Sequence, residues 1–290
     1  MQIEQIATDI LLFRGESYES LATAFVDGDR VLLIDALASE DDAAAMRAHL
    51  EDTLGLTVAV IVLTHCFTDH MAGVTLFPAA EVVAQRLFMY TFLEKGDRPL
   101  QQRQEFVVPT SVVDQQCTVR WGRYMLDIFH NPGKTVCSLG IDVPAADILF
   151  VGDNIVGNIG YIGGSAPELI DEAIGRLECR GRRRVIPGHM GVQDARALSN
   201  ARRYLAKLRE RVLHIRQVFQ PQEAALAIRE IAVEACAAEE VALSSFERHW
   251  HSQNLNRIVE RQLFSCEYRP PSPVRSAELS ALSCSGSTTR

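Results

Sequence analysis

Residues 58–64 (Val-Ala-Val-Ile-Val-Leu-Thr) are almost all apolar and rich in Val and Ile. A short run of this kind predicts a strand buried on both faces. Where the strand should emerge stand His65, Asp69 and His70. Three metal-ligating side chains within six residues, at the C-terminal end of a buried strand, are more than a packed core has use for. Imidazole and carboxylate together suit zinc, iron or manganese.

Upstream, residues 9–14 and 21–27 read as two strands. Asp27-Gly28-Asp29 is a turn, and residues 30–35 form a third strand, so an antiparallel meander opens the chain. Ser39 is a good N-cap for a helix over about 40–52, with Glu40, Asp41 and Asp42 in its first turn. Downstream, residues 71–77 and about 86–95 read as helices around a short strand at 81–84. Residues 96–117 are polar and irregular, and a loop of that length often borders a site. Residues 118–121 and 124–130 flank Gly122-Arg123 as a hairpin, and Asn131-Pro132-Gly133 is a turn.

The pattern of strand, tight turn and polar side chain then returns twice. Residues 147–152 end in Asp153, and residues 184–188 end in His189. Ligand types placed at several strand ends can converge on one edge of a sheet sandwich. From about residue 193 three helical segments follow, at 193–216, 222–236 and 239–263. His214, His249 and His251 lie there among charged residues and read as exposed. The chain closes on a Pro- and Ser-rich stretch from Cys266, predicted to be a disordered tail. The expected organisation is therefore a domain over 1–192, a helical extension over 193–265 and the tail over 266–290.

Composition narrows the function classes. The formal net charge of −8 offers no positive field for a nucleic-acid backbone. The basic run Arg180-Gly181-Arg182-Arg183-Arg184 reads as a solvated turn before a strand. No apolar stretch approaches the roughly 20 residues of a membrane span. Seven cysteines, an odd number with no C-x-x-C pair, and no signal peptide at the start predict a reducing, cytoplasmic setting. Cys66 and Cys137 read as buried, inert thiols.

These motifs resemble the metallo-β-lactamase superfamily, whose loop reads His-x-His-x-Asp-His. Here it is His65-Cys66-Phe67-Thr68-Asp69-His70, with Phe67 at the second His. The family's Pro-Gly-His-Thr turn is matched by Pro132-Gly133-Lys134-Thr135, with Lys134 at the His. The strand ending in Gly-Asp is matched by Gly152-Asp153, and the last Pro-Gly-His turn by Pro187-Gly188-His189. The resemblance covers roughly residues 6–215 and implies an α/β fold, a four-layer αββα sandwich. It also implies two metal positions. Asp69, His70 and His189 with Asp153 retain the second. The first keeps only His65, because Phe67 cannot ligate and the Lys134 ammonium opposes a cation beside it.

One divalent metal is therefore expected, with zinc first and iron(II) or manganese as alternatives. His130 could be a displaced ligand, or could simply meet the loop backbone. The function implied is a hydrolase of a small ester, thioester or lactone. Its catalytic residues would be Asp69, Asp153 and Lys134, and its metal ligands His65, Asp69, His70, Asp153 and His189. A small-molecule substrate is the expected partner, with a homodimer formed through the C-terminal helices. Two alternatives stand beside this one: a mononuclear iron redox enzyme on the same fold, and a degenerate, non-catalytic member.

Overall fold

The computed structural model of the protein describes residues 1–94 and 106–265. Two sheets face each other. The first has seven strands in chain order: β1 (Gln2–Ala7), β2 (Ile10–Arg14), β3 (Leu21–Asp27), β4 (Arg30–Ile34), β5 (Thr57–Val62), β6 (Glu81–Gln85) and β7 (Ser111–Val113). Strands β1–β4 are antiparallel, and β4 through β7 pair in parallel. The second sheet runs β15 (Gln193–Asp194), β14 (Arg184–Pro187), β11 (Ile148–Gly152), β10 (Leu139–Val143), β9 (Tyr124–His130), β8 (Gln116–Trp121). A short hairpin, β12 (Ile155–Val156) with β13 (Ile159–Gly160), follows β11.

Three apolar layers hold the sandwich. Between the sheets lie Phe25, Leu32, Ile34, Ile128, Ile141 and Phe150. Outside the first sheet, α1 (Glu40–Arg47) and α2 (Phe88–Glu94) cover Leu33, Ile61 and Val82 with Met46 and Phe88. Outside the second, α3 (Pro167–Glu178) and the three helices α4 (Arg196–Val218), α5 (Pro221–Arg229) and α6 (Ser245–Glu260) cover Leu149, Val151 and Val185. This is the expected αββα order. The helical extension shares its apolar layer with the second sheet, through Leu198, Tyr204, Leu208, Ile228 and Ile258.

Local signals explain most elements. Ser39 caps α1 by accepting from the Asp42 amide. The β8–β9 turn is closed by Gly122 at φ +54°, a left-handed position that suits glycine. Pro167 and Pro221 each open a helix at its first turn. Strand β1 goes beyond the expected meander. Its residues are exposed or half-buried, so it carries little apolar signal and owes its existence to pairing with β2.

Two expectations need correction. The stretch 96–117 is not a loop throughout: Phe106 and Val107 pack on the first sheet's outer layer, Ser111–Val113 forms the edge strand β7, and β8 begins at Gln116. Its remaining residues through 105 lie outside the described ones, as does the tail predicted from Cys266. His251 is buried, not exposed, because Tyr204 Oη and the Ile231 carbonyl satisfy its two ring nitrogens at 2.8 and 2.7 Å. His214 and His249 are exposed as expected. The basic run does form the turn before β14, but Arg180, Arg182 and Arg183 are paired with Asp127, Asp142 and Asp147. No described helix is long and apolar enough to cross a membrane.

Candidate metal centre

The parallel pairs β4–β5 and β11–β14 put the C-terminal ends of four strands on one edge. Each end delivers a polar side chain: Asp35 after β4, the 65–70 segment after β5, Asp153 after β11 and His189 after β14. The alternation that buries a strand's apolar residues stops where the backbone leaves the sheet. Polar groups are therefore tolerated there and can meet.

Four of the predicted residues do meet. One ligand atom each from Asp69, His70, Asp153 and His189 lies within 4.8 Å of all the others. Asp153 Oδ1 is 3.2 Å from His70 Nε2 and 3.3 Å from His189 Nε2. Asp69 Oδ2 is 3.7 Å from His70 Nε2 and 3.5 Å from His189 Nε2. Ligands about 2.1 Å from a tetrahedral ion stand about 3.4 Å from one another. Among the described residues, His70 Nε2 and Asp153 Oδ1 are buried and make no hydrogen bond, which two packed polar atoms would not tolerate without a further partner. The donor set thus fits one divalent metal.

The far side of each imidazole fixes its tautomer. His70 Nδ1 donates to Asp35 Oδ2 at 3.0 Å, and His189 Nδ1 donates to the Tyr18 carbonyl at 2.7 Å. Each Nε2 lone pair is left facing the cluster, the arrangement metal-bound histidines require. Asp35 also accepts from Thr64 N and Thr64 Oγ1, both at 2.7 Å. The sequence does not single out Asp35. Its only signal was an acid directly after four apolar residues of a buried strand.

Asp153 Oδ2 faces the other way. It takes a short ion pair from Lys134 Nζ and lies 3.4 Å from His65 Nε2. Lys134 is 2% exposed, and its ammonium sits 4.3 Å from the Phe67 ring centroid and 4.0 Å from that of Tyr161. Both contacts favour a cation. Thr64 spends its proton on Asp35, so it accepts from His65 Nδ1 at 3.0 Å, which leaves His65 Nε2 a lone-pair acceptor as well. His65 thus stands beside the four-residue group, its ring tilted 52° against that of His70 with centroids 4.2 Å apart.

The charges divide along the same line. Burial pulls His70 and His189 down, but the carboxylates outweigh it: Asp153, Asp69 and Asp35 hold His70 well above its ordinary value, and Asp153 and Asp69 push His189 up to about 9. His65 is lowered to about 4, by burial first and then by His70, against the pull of Asp153. Burial would raise Asp153, but Lys134, His70 and His189 hold it well below the usual carboxylate range. Lys134 is raised: burial opposes its charge, and Asp153 more than compensates.

The remaining candidates separate. His130 meets the loop backbone, with Nε2 2.7 Å from the Val136 carbonyl, and lies outside the cluster. Cys66 and Cys137 are buried as expected, yet Cys137 is not an ordinary thiol. It is lowered to about 6, chiefly by a hydrogen bond with Cys66, against burial and with help from Thr135 and Thr91. Gly188 is dictated by space, since a Cβ there would lie 2.0 Å from Asp153 Oδ1 and 2.4 Å from His70 Cε1.

A model of the metallo-beta-lactamase superfamily matches residues 18–213. Among solved structures, a metallo-beta-lactamase from Pontibacter korlensis is similar at 20% identity and a TM-score of 0.60, covering 71% of this chain and 98% of its own. One from Hirschia baltica is similar at 18% identity and 0.57, covering 70% and 96%. The stereoselective inverting sec-alkylsulfatase Pisa1 from Pseudomonas sp. is similar at 15% identity and 0.65. It covers 90% of this chain, and this chain spans half of that protein's length.

Proposed function

The chain belongs to the metallo-beta-lactamase superfamily, and from that premise we propose that it is a hydrolase of a small ester, thioester or lactone, working with a single divalent metal beside a lysine ammonium. One observation carries the reading: the two oxygens of Asp153 are divided, one among the imidazoles of His70 and His189 and the other on Lys134.

Asp69, His70, His189 and Asp153 Oδ1 would hold the metal; zinc suits the set, and iron(II) or manganese would also be accepted. When bound, such an ion lowers the pKa of a water and polarises a carbonyl. The chain's own groups do the rest. Asp35 and the Tyr18 carbonyl keep His70 and His189 in the ligating tautomer. Asp69 is the ligand that faces solvent, its side chain 22% exposed against 1% or less for His70, Asp153 and His189. Substrate therefore approaches on its side, where the carboxylate can orient an incoming water. Asp153, its oxygens divided between the imidazoles and Lys134, helps hold that water's direction. Lys134, fixed by Asp153, Phe67 and Tyr161, offers positive charge to the oxygen on which negative charge develops. His65 Nε2 keeps an unshared lone pair on the same side as Lys134.

The test is a panel of esters, thioesters and lactones assayed with the wild type and with Asp69→Ala and His189→Ala. Each substitution should remove bound metal and turnover together. Turnover that persists in a folded, metal-free variant would contradict the mechanism. A folded wild type that takes up no metal and cleaves nothing would leave the degenerate reading in its place.

A further inference from the structure

Four half-buried aromatic rings form a continuous arc from one side of the centre to the other. Phe67 and Tyr161 flank the Lys134 ammonium. Tyr161 meets Trp250 with centroids 4.5 Å apart and planes at 55°. Trp250 meets Phe246 at 5.9 Å and 69°, and Phe246 reaches the ring of His189 at 5.6 Å. Phe246 and Trp250 come from α6, so the helical extension supplies half of the arc.

The arc is preformed. Helix α6 begins with a capping box in which Ser244 and Glu247 exchange hydrogen bonds. The Glu247 carboxylate also accepts from Asn158 N at 2.8 Å. One helical turn beyond Trp250, Asn254 accepts from Ile162 N at 2.9 Å and donates to the Gly160 carbonyl at 2.8 Å. These bonds tie α6 to the segment bearing Tyr161, so rings from the two elements keep their places. Within the arc Trp250 Nε1 is buried and has no hydrogen-bond partner among the described residues, so the arc meets a guest through its ring surfaces and not through this N–H.

We infer that this arc is a substrate subsite for a flat aromatic group, with Phe246 and Trp250 as specificity-determining residues. Ring faces and edges at tilted angles receive another ring well. Lys134 already occupies the cation-favouring faces of Phe67 and Tyr161 and repels a second cation, so the guest is neutral or anionic. The inference rests on the centre described above being the reacting site, and it names the class of substrate that site takes.

Phenylacetate and cyclohexylacetate, equal in carbon skeleton but not in flatness, serve as probes in calorimetric titrations of the metal-loaded full chain. Phenylacetate should bind about tenfold tighter, the scale of one good ring–ring contact. Trp250→Ala should bring the two within about twofold of each other. Trp250→Leu, which keeps apolar bulk and is the variant to rely on if the alanine variant does not fold, should do the same, whereas Trp250→Phe, which keeps a ring, should preserve the preference. Equal binding of the two acids by the wild type, no binding of phenylacetate, or an unchanged preference in folded Trp250→Ala would overturn the subsite. Ester cleavage is scored separately: an aromatic preference without any cleavage keeps the subsite and fails the hydrolase, and metal-dependent cleavage without the preference does the reverse.

Discussion

The two halves of the centre share Asp153 and little else. On one side Asp35 and the Tyr18 carbonyl turn the Nε2 lone pairs of His70 and His189 toward the proposed metal position, and the local carboxylates pull positive charge in. On the other side a positive charge is already built into the chain. Lys134 fills the space between Asp153, Phe67 and Tyr161, and His65 is held neutral beside it. The Asp153 carboxylate bridges two cationic positions in either case; here one of them is covalent. A buried ammonium cannot dissociate with dilution or chelator, so half of the charge balance is permanent, and under the proposed function the other half depends on metal supply.

The largest test of this difference is Asp153→Ala. It strands Lys134 without its partner, which costs about 3–5 kcal/mol for a buried pair broken on one side. Chemical denaturation should show that loss, and Asp153→Ala combined with Lys134→Met should recover most of it. Equal stability of the single and double variants would mean that Lys134 does not depend on Asp153.

Next in size is Asp35→Asn, which touches the metal half directly through His70 and reaches His65 only through Thr64. Loss of the carboxylate behind His70 should weaken metal binding by about 10–100-fold, as removal of an outer-shell partner generally does. A competition titration against a chelator reads it, and unchanged affinity would leave His70 out of the ligand set.

The smallest effect is a difference in pH response. His189 is raised to about 9, so in metal-free protein its proton contributes stability below its ordinary value near 6.5, and that contribution is lost as pH rises through 9. His65 is lowered to about 4, so its contribution is present above 6.5 and is lost as pH falls toward 4. Metal competes with the His189 proton, so the gap in Tm between loaded and chelator-treated protein should widen from pH 6.5 to 9. A gap that narrows would contradict the placement of His189 in the metal half.

The division between the halves also marks what a sequence can reveal. The positions of His65, Asp153 and His189 are legible in the sequence because each stands within a few residues of the end of an apolar strand, with Asp69 and His70 on the loop after His65, and a polar side chain there stands out against the run before it. The sandwich was legible for the same reason, through runs such as residues 58–64 and 147–152. Asp35 obeys the rule but stands alone after its strand, with no second ligand type beside it. The Tyr18 carbonyl is backbone, which no residue type encodes. Tyr161, Phe246 and Trp250 lie far along the chain from Lys134, and nothing local distinguishes them from ordinary core aromatics. His251 failed in the opposite direction. Its charged neighbours in sequence suggested solvent, while Tyr204, 47 residues away, completes its hydrogen bonding inside the helical layer.

The central claim is that Lys134 stands where a second metal would otherwise be. Metal content per chain, measured by elemental mass spectrometry on untagged protein purified without chelator, tests it most directly. The account predicts about one divalent ion in the wild type, and about two in a variant carrying Phe67→His with Lys134→His. About two ions in the wild type would contradict it, and would mean that the ammonium and the metal share the space that Asp153 Oδ2 faces.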